Sequence, residues 1–251
     1  MGLFDLPAPL YSGVDALLAF LPPFARLLIW SAFTAVLSMA LYWLLSAQDK
    51  VGAAKERAIG ARRAMASYQG TEFDEMLPLA KESLAASGSH FLLVLVPAVL
   101  SSLPALTIIV WVSNHFGHAL PEPGTVIGYS SSPENALQVG TNAGAETATN
   151  ALLWPEAATP LQLQDAAGTS VLALPVEYPV PVIHQRQWWN WFIGNPNGYL
   201  PEQSTVREIN FAIPEIQYLD VGPAWMRGWE FSYFSLLILI SIGMKFLFRI
   251  D

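Results

Sequence analysis

The sequence predicts a mainly α-helical integral membrane protein with three transmembrane helices, a cytosolic helical hairpin and a β-rich extracytoplasmic domain. Three observations carry that expectation. Leu27–Ser46, Phe91–Ser113 and Phe231–Phe248 are apolar runs whose only charge is Lys245, and about twenty helical residues cover the roughly 30 Å of a hydrocarbon core. The chain is 53% apolar and only 13% charged, against about 25% charged in an ordinary soluble domain. Finally, the basic residues collect on one side of the runs.

That asymmetry orients the chain. Between the first two runs lie Lys50, Lys55, Arg57, Arg62, Arg63 and Lys81, and Lys245 and Arg249 close the sequence. Residues 114–230 hold only Arg186, Arg207 and Arg227 among eleven acidic residues. The reading is N-terminus outside, 47–90 inside, 114–230 outside and C-terminus inside. Arg26 and Arg227 dissent, the latter offset by Glu230. The first run follows acids at Asp5 and Asp15 and lacks a basic lead and a clear small-residue cleavage site, so it is expected to be a retained span.

Residues 1–26 form an outer amphipathic lead-in, with a short interfacial helix expected over Val14–Phe20. Run one is then transmembrane helix 1 (27–46). The cytosolic hairpin (47–90) opens with an alanine stripe, Ala53, Ala54, Ala58, Ala61 and Ala64, ending at Met65. Tyr68-Gln69-Gly70 interrupts it, and Thr71 with Asp74 makes a variant capping box. A second helix, kinked or delayed at Pro78, follows; one longer helix bent at Gly70 is the alternative.

Transmembrane helix 2 (91–113) contains Pro97 and Pro104 on roughly one face, with Ser101, Ser102 and Thr107 nearby and Ser31, Thr34 and Ser38 in the first span. Such hydroxyls re-satisfy freed carbonyls, let helices approach closely or line a wet groove. The residues alone favour close packing over a groove.

In the outer domain (114–230), Thr125–Tyr129 and Ser170–Leu174 read as strands. Val176–Ile183, with Pro179 and Pro181, reads as an edge strand at best. Ala143–Leu153 is the expected helix. Trp188, Trp189, Trp191 and Phe192 form the densest aromatic cluster: core or interfacial packing is the first reading and partner docking the second. Transmembrane helix 3 (231–248), preceded by the belt residues Trp225 and Trp229, leads to a tail at 249–251.

Several function classes are disfavoured. Cysteine is absent, which removes thiol catalysis, thiolate metal sites and disulfides. No phosphate-binding glycine loop or nucleophile elbow occurs, so no catalytic residue is assigned and no cofactor expected. No basic patch with interleaved aromatics suggests nucleic acid. His115, His118 and Glu122 have a metal-like spacing, but local hydrogen bonding accounts for them more simply and no metal site is assigned. Charge is missing from mid-span, against a proton relay.

The order of these pieces resembles the YidC-like membrane insertase superfamily, most of all its small three-span branch, which includes archaeal YidC-like proteins and the insertase subunit of the endoplasmic-reticulum membrane complex. Two stretches carry the likeness. In Ser38–Tyr68, Leu44-Leu45 leads into Asp49-Lys50 and a charged helix, followed by Met76 and Leu79-Ala80-Lys81. In the second, Gly228-Trp229-Glu230-Phe231-Ser232-Tyr233 opens a span that closes on Lys245-Phe246-Leu247-Phe248-Arg249-Ile250-Asp251. Residues 27–113 and 225–251 are covered.

The resemblance implies insertion or folding of client membrane segments without nucleotide hydrolysis, in a prokaryotic plasma (inner) membrane. It implies that Met65 and Met76 contact nascent or client proteins and that Ser38, Ser101, Ser102 and Thr107 help line a groove. Two features depart from the pattern: no arginine lies inside the first span, and the outer domain is far larger than that of the small branch. The rival expectation is therefore a structural or accessory subunit of a larger membrane complex, docking through Trp188, Trp189, Trp191 and Phe192.

Overall fold

The computed structural model describes every residue except Thr71, residues 140–145, Thr149 and residues 249–251, and the side chains of 146–148 are likewise left undescribed. Two compact units emerge: Met1–Leu28 with Thr107–Tyr233, and Ile29–Leu106 with Phe234–Asp251. Among the described residues, three helices are long and apolar enough to cross a membrane, consistent with a membrane protein. They are α2 (Pro23–Leu45), α4 (Phe73–Phe116) and α6 (Trp229–Phe248), and each contributes residues to both units.

In the first unit, α1 (Ala8–Leu17) follows a 3-10 turn at Leu3–Asp5. The helix begins earlier than the expected Val14 and stops before Phe20. Its prolines explain the shift: Pro7 and Pro9 sit at the first turn, where backbone N–H groups lack intrahelical partners and a missing donor costs nothing.

The β-rich part comprises two antiparallel sheets. The five-stranded sheet runs β3-β4-β1-β8-β7, with β1 at Val126–Ser132, β3 at Glu146–Ala148, β4 at Ala151–Leu153, β7 at Val182–His184 and β8 at Glu208–Phe211. The three-stranded sheet runs β2-β5-β6, with β2 at Leu137–Val139, β5 at Leu161–Asp165 and β6 at Ser170–Leu174. Alternate residues of β1, β5 and β8 point inward, the period-two pattern of a sheet with one covered face. Ile127, Leu152, Ile183 and Ile209 of one sheet join Leu163, Val171 and Leu174 of the other in a single core.

Two strand expectations match, and β6 spans Ser170–Leu174 as read from the sequence. Val176–Ile183 is strand only from Val182, at the sheet edge, because Pro179 and Pro181 remove ladder donors. The expected helix over Ala143–Leu153 is corrected. Residues 143–145 and Thr149 lie outside the described residues, while β3 takes Glu146–Ala148 and β4 Ala151–Leu153, with Asn150 in a turn. Leu152 lies opposite Ile127 and is fully buried, so cross-strand packing overrides the helical propensity of a short alanine-rich segment.

In the second unit, α3 (Gln48–Ser67) packs through Val51, Ala54 and Ala58 at its base, a narrower seam than the alanine stripe suggested. Just past α3, the Tyr68 hydroxyl lies within donor reach of Glu72 O at 3.1 Å and Glu75 Oε2 at 2.9 Å. Any side chain at Gly70 would strike the Tyr68 ring. The capping residue Thr71 lies outside the described residues. Beyond it, α4 runs as one 44-residue helix through Pro78, Pro97 and Pro104. Its second arm is thus neither delayed at Pro78 nor separate from the second span. Pro78 deprives only the carbonyl of Asp74 in the first turn, where α4 is exposed to solvent that can take the bond.

In the β-rich part, Asp165 closes the β5–β6 turn. Its carboxylate accepts from the amides of Thr169 (2.9 Å) and Ala167 (3.0 Å) and from Ser204 Oγ (3.3 Å). These donors, Thr169 foremost, hold its pKa below the usual carboxylate range. A lowered folded-state pKa contributes stability above the unfolded-state pKa, and that contribution disappears as pH falls through the folded-state value. Thermal denaturation of the detergent-solubilised chain is expected to lose stability across that acidic window, and Asp165→Asn to flatten this part of the pH profile and lower Tm at neutral pH.

Candidate functional site

The residues expected to receive a client divide between the two units. Met65, Met76, Ser38, Ser101 and Ser102 belong to the second, Thr107 to the first. Met65 in the last turn of α3 and Met76 in the first turn of α4 are both exposed, as are Phe73, Leu77 and Leu84. Past Ala58 the hairpin therefore carries several exposed apolar side chains. Arg62 Nε donates to Ser87 Oγ at 3.2 Å, pairing the two arms away from the tip.

The hydroxyls are committed differently from one another. Ser101 is buried and donates to Ala98 O at 3.0 Å, whereas Ser102 is exposed and donates to Val99 O at 2.8 Å. Neither bond reaches Leu93 O or Leu100 O, the carbonyls that Pro97 and Pro104 deprive of a donor; both go to carbonyls three residues back along the same helix. Ser101 also falls in a buried stripe with Ala105, Ile108 and Val112, at the spacing of one helix face. On α2, Leu27, Ser31, Thr34 and Ala35 are all fully buried; Thr34 Oγ1 donates to Trp30 O at 2.8 Å. Ser38, a further turn along, is half-buried. Small residues at this spacing let helix backbones approach closely.

Thr107 has a partner that local sequence did not suggest: its Oγ1 lies 2.7 Å from the Tyr11 hydroxyl of α1. It belongs to a polar cluster in the first unit. Trp111 Nε1 donates to Ser12 Oγ at 2.9 Å, and Arg26 pairs with Asp15 through both guanidinium and carboxylate edges, Nε to Oδ1 at 3.0 Å and Nη2 to Oδ2. Asp15 is buried. Arg26, a dissenter in the charge count, is neutralised by an acid eleven residues earlier. The Pro22-Pro23 corner between opposite charges was the available signal.

The cluster extends through aromatic rings. The Arg26 guanidinium lies 5.5 Å from the Phe116 ring centroid. Tyr218 stacks on Phe24 with centroids 5.9 Å apart and donates its hydroxyl to Phe116 O at 2.9 Å. Burial pushes the Tyr218 phenol up to about 12 against the opposing pull of Arg26, so it remains a donor across the physiological range. The start of α2 and the end of α4 are thereby joined to residue 218, and Tyr218 N bonds Arg227 O at 2.7 Å just before α6.

Two cavities accompany these arrangements. One of about 380 Å³ in the first unit is lined by Asp5, Ser12, Trp111, Asn114, His115, Tyr178, Asn195 and Tyr199 among others. His115 Nδ1 lies 2.8 Å from Trp111 O and its ring stacks on Trp111. The second, of about 190 Å³, is wholly apolar, formed by Met39, Ala40 and Trp43 of α2 with Met244 and Phe248 of α6. Among the described residues no three His, Asp or Glu side chains are placed to hold a metal.

Trp188–Trp191 forms a 3-10 turn. Trp188 is 82% exposed and Trp191 63%, which removes the core-packing reading for these two; Trp189 and Phe192 are also exposed. The turn is built by Asn190, which is fully buried, accepting from Gln187 N at 2.7 Å and donating to Ile193 O at 3.0 Å. Trp189 retains a ring contact to His184 at 5.0 Å. Asn190 lay hidden between tryptophans in the sequence, and no local pattern marked it as the inward residue.

No family model, curated protein sequence or solved structure matches this chain.

Breaking the Asp15–Arg26 pair is expected to be costly, because one charge then stays buried without its partner. Arg26→Leu and Asp15→Leu should each destabilise the first unit by about 3–5 kcal/mol, and the double substitution by clearly less than their sum. A double-mutant cycle of denaturation in detergent measures the coupling.

Proposed function

We propose that this chain is a YidC-like protein that aids insertion or folding of client membrane segments, with residues 47–90 on the cytoplasmic side. The observation that carries this reading is the apolar end of the hairpin: Met65, Phe73, Met76, Leu77 and Leu84 stand exposed on the segment richest in basic residues. A surface of this kind suits varied apolar segments, since methionine adapts its shape and polarises readily. The charge on Lys55, Arg57, Arg62 and Arg63 keeps the same hairpin soluble while its tip is empty.

The spans support the reading further. Of the most apolar stretch of each, only 28% (α2), 22% (α4) and 11% (α6) is buried within the chain, leaving helix surface for lipid, client or partner. Transfer of a client span into lipid is favourable for its apolar atoms but obstructed by polar flanks and unpaired backbone. A helix pair that first shelters the apolar stretch, then continues without interruption into the membrane as α4, lowers that obstruction with no nucleotide chemistry.

A second reading, an accessory subunit of a larger membrane complex, is favoured by one observation. The Ser101 and Ser102 hydroxyls bond back to their own helix, which leaves them less free to wet a groove. Site-specific photocrosslinkers decide between the two. Probes at Met65 and Met76 are expected to capture a nascent chain bearing a short-tailed span, and Met65→Glu with Met76→Glu to lower its insertion into proteoliposomes several-fold. Absence of both capture and insertion, with a stoichiometric protein crosslinked at Trp188, would sink the insertase reading and support the subunit.

A further inference from the structure

The first unit carries two segments whose polarity is turned inside out. On α1 the polar side chains face the protein: Tyr11 meets Thr107, Ser12 meets Trp111 and Asp15 meets Arg26. Its apolar residues face outward, Leu10 being 67% exposed, Val14 42% and Leu17 76%. These three recur at four- and three-residue spacing, one stripe of a helix. The Trp188–Trp191 turn repeats the inversion, with Asn190 inside and Trp188 and Trp191 outside.

The residues just before α1 touch those just after the tryptophan turn. Phe4 N donates to Phe192 O at 2.9 Å, the Asp5 carboxylate accepts from Gly194 N at 2.7 Å, and the Phe4 and Phe192 rings lie 6.2 Å apart. The approach depends on glycine: a Cβ on Gly194 would come within 2.6 Å of Gly2 N. Exposed apolar side chains thus run from Leu17 through Leu10, Leu6 and Leu3, and Trp191 and Trp188 stand exposed beyond the Phe4–Phe192 contact.

We propose that this surface is seated in the headgroup and upper acyl region of the bilayer, holding the β-rich domain of the same unit against the lipid. Three facts select lipid over a protein partner. The chain passes from α1 to the spanning helix α2 through only Leu18–Pro22, and the Asp15–Arg26 pair pins α1 to the first turn of α2, so α1 lies where that helix meets the membrane surface. The acids Asp5 and Asp15 are the sole charges in residues 1–25, both are bonded inward, and residues 187–197 carry none, so no charge complementarity could select a protein surface. Tryptophan and leucine on an outward face are the composition of the membrane interface. With exposed Arg186 as the one basic residue at the edge of this face, attachment rests on apolar partition, and anionic lipid adds little to it.

The absence of cysteine makes a direct test available in the full chain. Spin labels at Leu10→Cys, Leu17→Cys, Trp188→Cys and Trp191→Cys, one copy per phosphatidylcholine nanodisc, are expected to collide more with oxygen than with a water-soluble nickel chelate. A label at the outer-domain position Glu156→Cys should show the reverse, and added phosphatidylglycerol or salt should change neither. Nickel-dominated collisions at the four sites would overturn the proposal, and so would protection from both reagents, the mark of a protein covering the patch. Hydroxyl-radical footprinting of the unsubstituted chain guards against a variant that misfolds: Leu10, Leu17 and Trp188 are expected to be protected in nanodiscs, and oxidation as strong as in exposed loops would count against lipid seating. The test does not depend on client insertion.

Discussion

The Asp15–Arg26 ion pair is the contact on which the arrangement of the first unit rests. Carboxylate and guanidinium are difficult to remove from water, and only a two-edged geometry with a buried partner offsets that cost. Once formed, the pair fixes α1 against the first turn of α2 and points Tyr11 and Ser12 at α4. Arg26 also lies near the Phe116 ring at the end of α4, and Phe116 O receives the Tyr218 hydroxyl. Polar and aromatic contacts thus tie together the start of α2, the end of α4 and the approach to α6, with a directionality that apolar packing lacks.

The β-rich part follows a different logic. Its sheets bury one face each and meet in a shared core, so its order derives from alternation and not from ion pairs. Turn chemistry completes it: Asp165 gathers backbone donors at one end, and Gln185 Nε2 donates to the carbonyls of Pro201 (3.1 Å) and Ser204 (3.0 Å) in a loop. Such side-chain bonds satisfy loop backbone that sheet ladders cannot reach.

Exposed apolar residues fall into distinct sets with different surroundings. Those along α2, α4 and α6 sit on helices long enough to cross a membrane, where exposure within the chain costs nothing in lipid. Those on α1 and the tryptophan turn stand on segments whose polar groups are already used inward. The hairpin set stands among charged residues, Met65 beside Arg62 and Arg63 and Phe73 and Met76 beside Glu72, Asp74 and Glu75, where water would surround an unoccupied surface. The proposed function gives this last set a cover of its own, as the proposed lipid seating does for α1 and the tryptophan turn.

How much of this was legible beforehand depended on the range of the determining interaction. Apolar runs reveal their surroundings residue by residue, so the three long helices, the break at Gly70 and the strand at Ser170–Leu174 could be read locally. The same locality misled at Ala143–Leu153, where alanine propensity suggested a helix and pairing of Ala151–Leu153 with β1 made a strand. It also could not say which of Trp188, Trp189, Asn190 and Trp191 turns inward. Of the proposed client residues, Thr107 was legible only as a hydroxyl in a span; its partner, Tyr11, is 96 positions away. By itself the sequence determined which segments are apolar enough for a bilayer and where they stop, because hydropathy is a property of each residue. Tertiary structure alone decided which polar groups meet, because an ion pair or hydrogen bond exists only where folding brings donor and acceptor within about 3 Å.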